Sequence, residues 1–304
     1  MFRKLLVPLD GSESSELALP YAEQLADRLD SELVLVHVFE DSEAAYRHMH
    51  EVYMTQMVEN ARSGVQSLRG QSGRTVSVQS VLLHGHPAEQ IVEYAEKQDI
   101  DLVVMTTHGW TGFRRWMLGS VADRVARTIR IPVALIRIAA GHPVPPEQDL
   151  EAFKKLLIPL DGSKEAERTI PFVEQLASGL QAEVTLLQVI EPFYFTYSIP
   201  GDMVQLFHTP EEMQEIQSRA HEYLERCSRR LIDRGIQANT EVGIGTAADE
   251  IIKVADNLHA LVVMSTHGRS GVTRWAFGST ADRVLHGGRT PLMLVRTSGD
   301  SSSS

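Results

Sequence analysis

Pro8-Leu9-Asp10-Gly11-Ser12 recurs as Pro159-Leu160-Asp161-Gly162-Ser163. A second block repeats with it: His108-Gly109 followed by Gly119-Ser120, and His267-Gly268 followed by Gly278-Ser279. Asp10 to Asp161 and Val38 to Val189 are displaced by 151 positions, whereas Gly109 to Gly268, Trp116 to Trp275, Gly119 to Gly278, Pro132 to Pro291 and Arg137 to Arg296 are displaced by 159. The second copy has therefore gained residues between the blocks, mostly after its second strand. A period this long lies far beyond the roughly 20–50 residues of solenoids and propellers. It marks a duplicated domain, each copy large enough for its own core.

Within each copy, short apolar runs alternate with amphipathic stretches. In the first, Lys4–Leu9, Glu32–Phe39, Thr75–Leu83, Leu102–Thr107 and Pro132–Ile138 read as strands. Ser14–Leu29, Tyr46–Arg69, Ala88–Lys97 and Ser120–Ile129 read as helices. Pro20, repeated as Pro171, requires a kink or a late start in the first helix. The near-continuous apolarity of Leu102–Thr107 fits a strand covered on both faces. This alternation predicts an α/β protein with two doubly wound, open, parallel five-stranded sheets in tandem. The expected division is a first domain over 1–140, a linker over 141–152, a second domain over 153–297 and a disordered tail over 298–304. The apolar final runs, Val133–Ile138 and Leu292–Arg296, are expected to pair antiparallel as an internal pseudo-dimer. Pro192–Tyr197 is read as an aromatic connection that packs on its own domain, covers the second pocket or forms a contact between halves or chains.

Composition narrows the function. The 304 residues are 43% hydrophobic and 23% charged, with a formal net charge of −11, which disfavours nucleic acid and acidic membranes as partners. No apolar run approaches the roughly 20 residues that span a bilayer. A single cysteine, Cys227, fits a reducing cytoplasm. The chain carries no G-x-x-x-x-G-K-[ST], no G-x-G-x-x-G after the first strand and no G-x-S-x-G elbow. His84 and His86 have no histidine counterparts in the second copy, which argues against a metal site there.

The repeated residues suit an anion. In an open α/β sheet, ligands bind beyond the carboxyl ends of the strands. Asp10 and Asp161 close the first strand of each copy, and Thr106–Gly109 and Ser265–Gly268 close the fourth. Gly119-Ser120 and Gly278-Ser279 then open helices, whose free N–H groups favour phosphate. Arg115 and Arg274 add positive charge to the intervening loops. Gly112 and Gly271 serve either close backbone approach or a plain turn. Ser120-x-x-Asp123 and Ser279-x-x-Asp282 also read as capping boxes.

Pro-x-Asp-Gly-Ser ending strand one, Met-x-x-His-Gly ending strand four, and nine residues before Gly-Ser resemble the universal stress protein family, twice and over nearly the whole chain. The family's ATP pattern is G-x2-G-x9-G-[ST]. Gly109 and Gly268 take its second glycine, residues 110–118 and 269–277 its spacer, and Gly119-Ser120 and Gly278-Ser279 its end. Thr106 and Ser265 stand at its first glycine. The resemblance implies ATP or AMP in each copy, with Mg2+ accompanying ATP. It places Asp10 and Asp161 near the ribose or a divalent ion, and the Val38 and Val189 backbones on adenine. Pro8, Thr106, His108, Gly109, Arg115, Gly119, Ser120 and Val121 would complete the first site. Pro159, Ser265, His267, Gly268, Arg274, Gly278, Ser279 and Thr280 would complete the second. It further implies a stress-response regulator with a protein partner still to be found, dimers built through the last strand, as an internal pseudo-dimer or a homodimer, and at most slow ATP hydrolysis or self-phosphorylation. The competing expectation is a protein-interaction module with vestigial pockets.

Overall fold

The computed structural model describes residues 2–69, 76–107, 118–137, 151–192, 195–199, 202–206, 209–266 and 277–296. The first half runs β1 (Lys4–Pro8), α1 (Glu13–Glu16), α2 (Leu19–Leu29), β2 (Glu32–Phe39), α3 (Arg47–Arg69), β3 (Val78–His84), α4 (Pro87–Lys97), β4 (Leu102–Thr106), α5 (Ser120–Thr128) and β5 (Val133–Ile136). The second runs β6 (Lys155–Pro159), α6 (Lys164–Glu167), α7 (Ile170–Leu180), β7 (Glu183–Ile190), β8 (Phe195–Ile199), β9 (Asp202–Leu206), α8 (Pro210–Ile232), β10 (Ala238–Ile244), α9 (Ala247–Leu258), β11 (Leu261–Ser265), α10 (Ser279–Gly287) and β12 (Leu292–Val295). Pro20 and Pro171 fall in the first turns of α2 and α7, so each expected first helix divides and starts late.

Each half is a parallel five-stranded sheet, and the two join as one ten-stranded sheet of order β10-β7-β6-β11-β12-β5-β4-β1-β2-β3. The single antiparallel step within it is β5 on β12, with Leu135 opposite Leu292, Ala134 opposite Met293 and Val133 opposite Leu294. Every residue of β4, β5, β11 and β12 is buried, because helices cover both faces. The outer strands β3 and β10 carry exposed positions along their length. One apolar core lies under α2, α3, α7 and α8, and a second under α4, α5, α9 and α10.

The aromatic connection contains strands that the sequence reading did not place. Phe195–Ile199 and Asp202–Leu206 form an antiparallel hairpin paired only with itself. The expected linker falls outside the described residues except for Glu151 and Ala152, which open a 3₁₀ turn (Glu151–Lys154), and the expected tail falls wholly outside them.

Reciprocal contacts cross the seam. Phe2 meets Phe172 edge-on at 5.0 Å between centroids, and the equivalent pair, Tyr21 and Phe153, meets at 5.8 Å. Arg137 leaves β5 and donates from Nη2 to the Val284 and Leu285 carbonyls, 2.5 and 3.2 Å away, at the end of α10. Arg296 leaves β12 and donates to the Arg127 and Thr128 carbonyls at 2.5 and 3.4 Å, at the end of α5. Each arginine thus caps a helix of the other half, where a cation complements the dipole. Burial pushes the Arg137 guanidinium down to about 10, still protonated at neutral pH.

Symmetry breaks at one buried acid. Glu174 on α7 pairs with Arg230 and Arg234, 3.5 and 3.1 Å away. Its counterpart Glu23 lies over Gly64 of α3, where a Cβ would come within 2.0 Å of the carboxylate. No cation pairs with it among the described residues, and burial raises its carboxyl to about 7.

Arg137→Met is expected to lower unfolding free energy by about 2 kcal/mol, since two buried carbonyls lose a charged donor; urea denaturation measures it. Glu23→Gln is expected to stabilise at alkaline pH. Above about 4.5 the unfolded chain releases this proton while the folded chain keeps it until about 7, so stability falls as pH rises through that window. Thermal melts should show a gain for the variant at pH 8 and none at pH 4.

Candidate ligand-binding crevices

Strand order reverses between β1 and β4, and between β6 and β11. Pairing there is short: β1 meets β4 at Leu5–Leu102 and Leu6–Val103, and β6 meets β11 at Leu156–Leu261 and Leu157–Val262. Beyond those pairs the strands part, and Pro8 and Pro159 have no N–H to extend a ladder. A crevice therefore opens at each reversal. Because β5 and β12 are antiparallel, the two crevices face opposite ends of the sheet.

An aspartate turn closes β1. Asp10 Oδ1 accepts from the Ser12 amide at 3.0 Å and the Ser12 hydroxyl at 2.5 Å. The Ser12 hydroxyl accepts in turn from the Ser15 amide at 3.1 Å, capping α1. Gly11 has φ +83° and Gly162 φ +81°, a region that L side chains avoid, so the turn needs glycine in both copies. Asp161 repeats the arrangement with the Ser163 amide at 2.9 Å and hydroxyl at 2.6 Å.

The facing wall comes from β4. Thr106 and Thr107 are buried, as are Ser265 and Thr266. The Gly119 amide donates to the Thr107 carbonyl at 2.7 Å, and Gly278 to Thr266 at 2.9 Å, closing the base of each loop. The first intrahelical bonds are Asp123 to Gly119 and Asp282 to Gly278. The amides of Ser120, Val121 and Ala122, and of Ser279, Thr280 and Ala281, are left without intrahelical acceptors. These helix ends and the aspartate turns stand at the same edge of adjacent strands. Val38, Val121 and Val189 border the core under α4, α5, α9 and α10. His108, Gly109, Gly112, Arg115, His267, Gly268, Gly271 and Arg274 lie outside the described residues.

The capping-box reading needs correction. Gly119 and Gly278 are the N-caps, extended at ψ 147° and 150°, because their amides are tied back to β4 and β11. Ser120 and Ser279 are already helical, so Asp123 and Asp282 lie too far along to cap. Both instead accept from Arg127, at 2.8 and 3.1 Å, and its guanidinium also lies 4.6 Å from the Phe277 ring centre.

Sequence reading passed over a polar cluster beside the first crevice. His37 on β2 is buried; its Nδ1 meets the Leu9 carbonyl at 2.8 Å and its Nε2 meets His50 Nδ1 at 2.9 Å. Tyr53 donates to Glu16 at 3.1 Å. Burial lowers the His37 pKa and His50 lowers it further, against the Leu9 carbonyl, Glu43 and Asp10. Gln188 holds the equivalent position in the second half. A groove of about 610 Å3 lies away from both crevices, on the α2–α7 seam, lined by Phe2, Arg28, Asp30, Glu174, Gly179 and Arg234 among others.

Two doubly wound repeats, each with an aspartate turn facing a helix N-terminus over a strand reversal, define a tandem α/β protein with one crevice per repeat. The chain belongs to the universal stress protein family, which residues 1–137 and 152–296 each match. A universal stress protein of Methanocaldococcus jannaschii is 33% identical over 144 residues, covering 45% of this chain and 83% of that protein. One of Mycobacterium tuberculosis is 25% identical over 303 residues, covering 97% of both chains. The crystal structure of a universal stress protein from Archaeoglobus fulgidus superposes with a TM-score of 0.64 at 19% identity, over 97% of this chain and 99% of that one, a likeness of fold.

Asp10→Ala is expected to cost about 1–2 kcal/mol by unmaking the turn. Asp10→Asn keeps an accepting Oδ1 and should cost under about 0.5 kcal/mol. Urea denaturation of the two variants separates the turn's hydrogen bonds from its charge.

Proposed function

We propose that each crevice binds an adenine nucleotide, ATP or AMP, and that the chain acts as a stress-response regulator and not as a fast catalyst. The observation that carries this reading is the twofold recurrence of one arrangement: an oriented carboxylate just past β1 or β6 beside the first-turn amides of α5 or α10, which have no intrahelical acceptor. Amides at a helix start suit phosphate oxygens. A carboxylate held by its own turn suits ribose hydroxyl donors. In this reading Asp10 and Asp161 orient the ribose, the backbones of Val38 and Val189 meet adenine, and Gly119 to Val121 and Gly278 to Thr280 hold phosphate. His108, Gly109 and Arg115, with His267, Gly268 and Arg274, supply the rest of the phosphate loop. Mg2+ would arrive with ATP and neutralise its phosphates. A regulatory protein partner and a cytoplasmic location belong to the same proposal.

Thr106 and Ser265, buried where the family pattern has glycine, favour the second reading of vestigial pockets. Calorimetric titration with ATP and magnesium decides between them. Two sites per chain are expected. Gly119→Val or Gly278→Val should each remove one site or weaken it at least about tenfold, through loss of charge-assisted bonds worth about 1.5–3 kcal/mol each. No heat of binding in the unmodified chain would support the vestigial reading.

A further inference from the structure

We propose that the first crevice contains a proton-sensitive strut, the hydrogen-bond chain Leu9–His37–His50, which fastens α3 behind the Asp10 turn near neutral pH and gives way in acid. Among the described residues the second crevice has no such strut. The consequence for nucleotide affinity rests on the proposed function; the structural switch does not.

The protons in the chain can be placed by elimination. The Leu9 carbonyl can only accept, so His37 Nδ1 carries a hydrogen. In the neutral ring Nε2 is then a lone pair, and His50 Nδ1 must donate to it. His50 Nε2 remains as the last lone pair, buried and without a hydrogen-bond partner among the described residues. A proton added to His37 takes its Nε2 lone pair and sets two N–H groups against each other, which breaks the chain.

Groups on three sides of the histidine pair set its response to acid. From α3, His50 and Tyr53 face His37, with Tyr53 tied to Glu16 of α1. Asp10 and Glu43 act on His37 from the crevice side, and burial outweighs them. Phe39 stacks on His50 at 5.6 Å between ring centres and meets His84 of β3 on its other contact at 5.2 Å. Before the buried Met54, this end of α3 exposes its apolar residues, with Met49 and Val52 at 66% and 57%. The His37 pKa lies below its ordinary value in the folded chain, so this contribution to stability is present above about 6.5 and lost as pH falls below it.

The second half supplies the control. Gln188 replaces His37 and does not titrate, and its Oε1 lacks a hydrogen-bond partner among the described residues. His221, the histidine of α8, is exposed. A carboxylate–hydroxyl capping box at Thr209 and Glu212 secures the start of α8 instead.

Hydrogen exchange of the nucleotide-free chain between pH 7.5 and 5.5, corrected for intrinsic rates, tests the strut. Amides over 49–57 of α3 should lose about tenfold protection in acid, since pH 5.5 lies about one unit below the ordinary histidine value. Those of α8 should not change, and His37→Gln, which copies the second half, should abolish the difference. Equal behaviour of α3 and α8, or an undiminished acid response in His37→Gln, would overturn the proposal. Calorimetry with ATP and magnesium adds the functional arm. In Gly278→Val, which leaves the first site, affinity should fall about tenfold over the same range; in Gly119→Val it should change less than about twofold. Absence of ATP binding at pH 7.5 would defeat the nucleotide reading alone, since the exchange result stands without it.

Discussion

The antiparallel pairing of β5 with β12 is the constraint on which the rest of the molecule depends. Each half ends in a short, wholly apolar strand, which alone would leave an unpaired edge. Joining the two edges buries both and sets a local twofold relation between the halves. That relation aligns Arg137 with the end of α10 and Arg296 with the end of α5, and brings Phe2 onto Phe172 and Tyr21 onto Phe153. It also sends the two crevices to opposite ends of one sheet. A ligand in one crevice cannot touch a ligand in the other, so any communication must pass through the seam. Arg127 bridges the halves there, joined to Asp123 in its own helix and to Asp282 near the start of α10.

Duplication conserves the turn and relaxes what stands behind it. Both aspartates keep the same hydrogen bonds to the following serine, within about 0.1 Å. The supporting helices differ. In the first half a neutral histidine pair and a carboxyl over Gly64 pack α3 onto the sheet and α2. In the second, α8 carries a complete capping box, two arginines on Glu174, and a hairpin before it. The first half thus depends on a histidine whose pKa burial lowers and a carboxyl that burial raises to about 7, where the second has Gln188 and an arginine-paired Glu174. The same fold can hold two similar crevices with different responses to conditions.

Much of this was legible in the sequence. The Pro-x-Asp-Gly-Ser repeat located both aspartate turns, because positive φ restricts Gly11 and Gly162, and the Gly-Ser pairs located both helix starts. Strand boundaries followed from apolar runs. What stayed hidden depends on packing between elements distant in sequence. Arg137 and Arg296 were visible as a repeated pair, yet their partners are carbonyls of the opposite half. His37 and His50 meet only through the phase with which α3 lies on β2, which period-3.6 spacing does not give. Ser-x-x-Asp was misread because a cap and a first helical turn share that spacing, and only the bond from Gly119 to Thr107 separates them. The hairpin at 195–206 was missed although Phe-Thr-Tyr-Ser-Ile alternates as a strand should, because so short a run does not separate a strand from a connection.

Native mass spectrometry of the intact chain in ATP and magnesium measures the central claim most directly, because it counts nucleotides on each molecule. The account predicts a dominant species carrying two, reduced to one in Gly119→Val and in Gly278→Val. A chain that stays unliganded at millimolar ATP would contradict it.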